Sequence, residues 1–265
     1  MKLPPVFDYP TLERFWRDAD ELGFHAVWDY DHFYGLRDPI QPTLEGWTLL
    51  GAMAKATSRV RIGCMVTGLT YRHPAVLANM ATTVDHISDG RLDFGIGAAW
   101  YQVEHDAYGI EFPPVGTRIA MLDEACTLIR RMWTEDRVDH QGRFWTLADA
   151  MSNPKPIQPR VPMVIGGAGE KRTLRVVATH ADEWNWSGSW DDTGPEEFAR
   201  LSGILDEHCA AVGREPKVIR RSFQLFVEPQ DDRQTKDQVG RLDDYAAHGA
   251  DHVVFVFVSP PSRAL

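Results

Sequence analysis

The chain of 265 residues is poor in cysteine, holding only Cys64, Cys126 and Cys209, far apart and without a Cys-x-x-Cys pair. That scarcity argues against a disulfide framework and a structural zinc site, and it fits a reducing compartment. No apolar run approaches the roughly 18 residues of a membrane span, and the start Met-Lys-Leu-Pro-Pro has no apolar signal region. A cytoplasmic protein without membrane contact is expected. Basic residues are outnumbered, 28 against 38 acidic, for a net charge of −10. This excludes a nucleic-acid surface and requires any anion site to collect its own local donors. Gly-x-Ser-x-Gly, His-x-His and Glu-x-x-His are all missing, so neither a nucleophile-elbow hydrolase nor a metallohydrolase is indicated, and no metal is expected. Asp93-Phe94-Gly95 has no other kinase feature beside it and reads as chance.

What the chain does have is alternation. Short β-rich apolar runs fall at 26–28, 60–66, 92–96, 163–165, 183–186, 222–227 and 252–258. Helical patterns lie between them at about 10–22, 44–57, 74–87, 116–133, 170–180, 195–212 and 233–247. Strand-helix repetition over this length predicts a single α/β domain spanning 1–265, first a (β/α)8 TIM barrel and second an open doubly wound sheet. Two segments interrupt the pattern. Residues 98–115, with Trp100, Tyr101, Tyr108 and Phe112, are too long for an ordinary strand-to-helix loop and sit where barrels shape a pocket. The second insertion, about 137–155, begins with a hairpin around Gln141-Gly142. At the ends, only residues 1–5 remain for a first strand and 259–265 for a last helix. The barrel is expected to have a shortened first strand and no terminal helix, with the exposed seam patched by self-association as a homodimer.

Three features carry chemistry. The run Met163-Val164-Ile165 stops at Gly166-Gly167-Ala168-Gly169-Glu170, where backbone N–H groups and a helix start converge, with Lys171 and Arg172 adding charge in the first turn. That suits a phosphate, although plain loop chemistry produces such turns as well. The run ending at Trp28 leads into Asp29-Tyr30-Asp31-His32, at the strand C-terminus where barrel enzymes keep their sites. His32 is the best proton-transfer candidate, with Asp31 placed to fix its tautomer; a satisfied structural Asp-His pair is the equal alternative. Met65-Val66-Thr67-Gly68 and then Tyr71-Arg72-His73 bring further polar groups to the same mouth.

The order of these pieces is itself informative. Arg59 to Gly68, Tyr71-Arg72-His73-Pro74-Ala75, Ile87-Ser88-Asp89-Gly90-Arg91-Leu92-Asp93-Phe94-Gly95-Ile96-Gly97-Ala98-Ala99-Trp100, Asn153-Pro154-Lys155-Pro156 and Ala181-Asp182-Glu183-Trp184-Asn185 resemble the luciferase-like monooxygenase family, in its branch of coenzyme F420-dependent oxidoreductases. The resemblance spans about residues 9–258. It implies a barrel with a flavin or deazaflavin in its mouth and the cofactor phosphate on Gly166, Gly167, Ala168, Gly169 and Glu170. It implies catalytic roles for His32 and Asp31, and a non-prolyl cis peptide at Met65-Val66 against the ring. Thr67, Gly68, Ala98 and Ala99 fall to the cofactor, and Trp100, Tyr71 and Trp184 to the substrate wall. Where sugar-phosphate dehydrogenases of the family carry a Trp and a loop Glu, this chain has Leu36 and Trp100, which disfavours a sugar phosphate. The implied activity is hydride transfer between F420 and a small organic substrate. An FMN-dependent monooxygenase and a non-catalytic cofactor-binding barrel are the alternatives. Gly167→Asp is expected to weaken cofactor binding while sparing the fold.

Overall fold

The computed structural model describes residues 1–36, 38–188 and 194–261. Its strands are β1 (Ala26–Asp29), β2 (Arg61–Cys64), β3 (Thr67–Gly68), β4 (Leu92–Gly97), β5 (Val138–Gln141), β6 (Thr146–Ala150), β7 (Met163–Gly166), β8 (Glu183–Trp186), β9 (Arg220–Val227) and β10 (His252–Phe257). The helices are α1 (Tyr9–Glu21), α2 (Gly46–Ala56), α3 (Pro74–Ile87), α4 (Gln102–Tyr108), α5 (Val115–Thr134), α6 (Thr173–His180), α7 (Gly194–Val212), α8 (Asp232–Val239) and α9 (Leu242–Ala247). One parallel sheet runs β1-β2-β4-β7-β8-β9-β10, with β3 also pairing β4. Lys2 closes it, bridging in parallel to Trp28 on one side and Val256 on the other. Its amide donates to the Phe255 carbonyl at 2.8 Å, and its own carbonyl accepts from Phe257 at 2.9 Å. The shortened first strand is therefore a single paired residue. No helix follows β10 among the described residues, and 262–265, the rest of that tail, lie outside them.

The strands alternate between two apolar regions, as the pleat requires. Val27 faces the large core under the helices, whereas Ala26 and Trp28 join Met65, Val164 and Val254 inside the ring. Caps fix where several helices begin. Asp8 accepts from the Thr11 amide at 2.9 Å, Glu45 from Trp47 and Thr48 at 3.1 and 2.7 Å, and the His73 ring from Ala75 at 3.2 Å ahead of Pro74. On α5, Leu122, Ala125, Ile129 and Met132 recur at helical spacing and are buried on one face.

Several boundaries differ from the periodicity. The run 60–66 is interrupted after Cys64 by a cis peptide at Met65-Val66, the position the family resemblance implies. The pattern at 233–247 splits at Gly240 into α8 and α9. α6 starts at Thr173 rather than 170, so Lys171 and Arg172 precede its first turn. The long segment after β4 contains α4, and Arg118 gathers its ends by donating to the Ala98 and Pro113 carbonyls while lying 3.8 Å over the Phe112 ring. The second insertion is an antiparallel hairpin, β5 with β6, held by the Glu124 carboxylate accepting from the amides of Arg143, Phe144 and Trp145. No helix among the described residues is long and apolar enough to cross a membrane.

Candidate active site

The C-terminal ends of the strands surround a cavity of about 750 Å³, within the usual range for small-molecule sites. Asp31 and His32 after β1, Met65 to Gly68, Gly97 to Trp100, and Gly166, Gly167 and Gly169 all line it, as do Tyr71 and Thr173. The ends of four strands that the sequence keeps far apart thus meet at one mouth. The glycine turn has a backbone reason. Gly167 sits at φ +132°, a conformation L side chains rarely adopt, and a Cβ at Gly97 would stand 2.8 Å from Val66 Cγ2. No side chain caps α6, although the Gly169 carbonyl accepts the Leu174 amide at 3.1 Å. Ala168 and Glu170 do not line the cavity. Glu170 turns outward to pair with Arg200 at 2.8 Å, so of the expected phosphate turn only Gly166, Gly167 and Gly169 reach the space.

His32 lines the mouth, but Asp31 is not its partner. Asp31 is buried and takes two bonds from Arg72, at 2.6 and 2.9 Å, and one from the Gly68 amide at 3.1 Å. Both residues lie in the loop beyond the end of β1, where the carboxylate and the ring are claimed by different segments: Asp31 by Arg72 and Gly68 of the turn after β3, His32 by α4. The partner of His32 is Glu104, 2.9 Å from Nδ1. Glu104 is fully buried, on the first turn of α4, and it also accepts from the Phe33 and Tyr34 amides at 2.5 and 2.8 Å and from the Tyr71 hydroxyl. Burial pushes its carboxyl up, yet the hydrogen bonds from His32, Tyr71 and the loop outweigh that and hold it below its ordinary value. Burial, and then Glu104, raise the Tyr71 phenol. The next residue, His105, stitches α4 down through Thr70 Oγ1 at 2.6 Å and stacks on Tyr71. Sequence reading missed Glu104. Two signals were available, the excess length and aromatic content of 98–115 and the family's loop Glu, which aligned with Trp100; neither separates a buried Glu104 from the exposed Asp106 beside it.

The three substrate-wall residues divide. Trp100 is 63% exposed and stands edge-on to His32 with ring centroids 5.6 Å apart. Tyr71 lines the cavity as well. Trp184 does not belong to the wall: it is 0% exposed, stacks on Phe198, and donates Nε1 to the Gly167 carbonyl at 2.8 Å. It supports the glycine turn from beneath.

The floor is polar. Lys2 donates to the Met65 carbonyl at 2.8 Å and to Gln224 Oε1 at 3.2 Å, Gln224 donates to Asn185 Oδ1 at 2.7 Å, and Asn185 donates to Ser222 Oγ at 3.0 Å. Burial pushes the Lys2 ammonium down to about 8. No group of three or more metal-ligating side chains occurs among the described residues.

Comparison with known proteins agrees with this geometry. An uncharacterised protein of Mycobacterium tuberculosis (strain ATCC 25618 / H37Rv) is 32% identical over 198 residues, 74% of this chain and 66% of the relative. The F420-dependent glucose-6-phosphate dehydrogenase of Amycolatopsis mediterranei (strain U-32) is 37% identical over 154 residues, 57% of this chain and 45% of the relative. The chain thus spans from under half to about two thirds of the length of these curated relatives. Among solved structures, an F420-dependent secondary alcohol dehydrogenase in complex with an F420-acetone adduct superposes with a TM-score of 0.82 at 19% identity, covering 98% of this chain and 93% of that one, which establishes the shared fold. The model of the family described as luciferase-like monooxygenase matches residues 2–249, and with a barrel and mouth of this construction the chain belongs to that family.

Proposed function

We propose that this protein is an oxidoreductase that passes a hydride between coenzyme F420 and a small organic substrate. The observation that carries the reading is the position of His32, on the cavity wall with one ring nitrogen tied to a buried carboxylate. The residues present suit a flavin-type cofactor: a glycine turn and a helix start without a side-chain cap for one phosphate, small residues Gly97, Ala98 and Ala99 along one wall, and a polar floor. When bound, the deazaflavin supplies the centre that takes or gives the hydride. His32 takes up or delivers the accompanying proton at Nε2, which bonds to no protein atom among the described residues. Trp100 stands edge-on to the ring, and Tyr71 reaches it through the shared Glu104 carboxylate. The homodimer expected from the sequence is kept as part of this proposal, and light scattering on the purified 30.0 kDa chain tests it.

Fluorescence titration of the apoprotein with F420 and with FMN tests the cofactor reading. Micromolar binding of F420 with weaker FMN is expected. Tighter FMN, with oxygen-dependent turnover, would replace the proposal by a flavin monooxygenase, and tight binding without turnover by a non-catalytic cofactor-binding barrel; failure of both cofactors below the millimolar range would remove it.

A further inference from the structure

Glu104 is saturated. A carboxylate offers about four lone-pair sites, and here Oε1 takes the Phe33 and Tyr34 amides while Oε2 takes His32 Nδ1 and the Tyr71 hydroxyl. All four donors lie on the β1 loop or on the turn after β3, and the carboxylate itself comes from α4, so one side chain ties three strand-end segments together. Glu104 does not line the cavity, and with no free lone pair it has no means of exchanging protons with a substrate. An ionised carboxylate only accepts, so the ring nitrogen facing it must carry the hydrogen. In the neutral imidazole the lone pair is then on Nε2. Tyr30, Trp100 and Tyr101 stand edge-on around the same ring at 5.0, 5.6 and 5.8 Å, which holds its plane.

We infer that Glu104 is the positioning residue of this site: it fixes His32 as the Nδ1–H tautomer, turns the Nε2 lone pair to the cavity, and locks the loop that carries the ring. The inference rests on His32 as the proton-transfer group of the proposed reaction. It differs from the reading in which Asp31 orients His32, because the Asp31 carboxylate is taken up by Arg72 and Gly68.

The test reads the tautomer directly. In ¹⁵N-histidine-labelled apoprotein, with the His32 signals assigned by their loss in His32→Asn, neutral His32 is expected to carry hydrogen on Nδ1. In Glu104→Gln the amide keeps an oxygen for the Phe33 and Tyr34 N–H groups and presents NH2 to the ring, so the hydrogen is expected to move to Nε2. Turnover in that variant should fall by about 10²–10⁴-fold, with the cofactor dissociation constant changed by less than about threefold. An Nε2–H tautomer in the wild-type protein, an unchanged tautomer in Glu104→Gln, or turnover within about threefold of wild type would each overturn the assignment. The wild-type spectrum decides even if the variant does not fold. Because the tautomer is read without cofactor, failure of F420 to bind would count against the proposed function and leave this result standing.

Discussion

Arg72 holds Asp31 with both terminal guanidinium nitrogens, at 2.6 and 2.9 Å, and with one of them also reaches Glu45 at 2.5 Å. Asp31 is buried, and burial raises its carboxyl despite the opposing pull of Arg72. Arg72→Met should therefore cost about 3–5 kcal/mol in urea unfolding, because a buried carboxylate loses its counter-charge. Adding Asp31→Asn should recover a large part of that loss. Equal stability of Arg72→Met and wild type would show that the pair does not hold the mouth.

Asp29, two residues earlier, has no such partner. Both its oxygens are buried without a hydrogen bond apart from the weak thiol of Cys64 beside them, and burial followed by Asp31 pushes its carboxyl well above the ordinary 3.8. Unfolded, the group loses its proton near 3.8; folded, it keeps it to higher pH. Between those values the folded state binds more protons, so the wild-type protein loses stability as pH rises, by up to about 1.4 kcal/mol per pH unit. Asn does not titrate. The stability of Asp29→Asn relative to wild type should accordingly improve as pH rises above about 4, and a difference independent of pH would contradict the sign.

Gly167→Asp is a poor probe of the phosphate turn. At φ +132°, and with a Cβ 2.9 Å from Thr173 Cγ2, any side chain there strains the fold. Gly169 is the cleaner position, since its φ is not positive; a Cβ there would meet the Thr173 hydroxyl at 2.6 Å and Thr173 Cβ at 3.3 Å, so the rotamer of Thr173 and the α6 start must both give slightly. Gly169→Asp should keep the melting temperature within a few degrees and weaken cofactor binding by more than about tenfold through charge repulsion. Unchanged affinity would move the phosphate elsewhere.

Trp184 is expected to act on stability and on the glycine turn rather than on substrate. Trp184→Ala should cost about 3–5 kcal/mol by opening the core beside Phe198. Trp184→Phe keeps the stack and loses only the bond to the Gly167 carbonyl, for about 1 kcal/mol. Chemical unfolding separates the two, and a selective rise in substrate KM in Trp184→Phe at unchanged cofactor affinity would return the residue to the wall.

Legibility followed periodicity. The buried strands and the α5 stripe are readable because each repeats a pattern that one face imposes. The glycine turn is readable because a positive φ leaves few residues to choose from. Pairings across the mouth are different: that Asp31 meets Arg72 and His32 meets Glu104 depends on which way strand-end side chains point after the sheet curls. Adjacency in sequence suggested Asp31 for His32, and long-range partners on the turn after β3 and on α4 decided otherwise. Trp184 failed for a related reason, since its strand is buried on both faces and its motif does not reveal which side the indole takes.

The reach of Arg118 has a consequence for the mouth as a whole. By holding the Ala98 and Pro113 carbonyls with one guanidinium, it makes residues 98–113 an Ω-shaped loop that leaves and re-enters the wall at a single clasp. Trp100 and Glu104 ride on that loop, one bounding the cavity and one gripping the imidazole. Amide exchange across these residues should therefore slow or quicken together, and release of the clasp would withdraw an aromatic shutter and the histidine's anchor in the same movement.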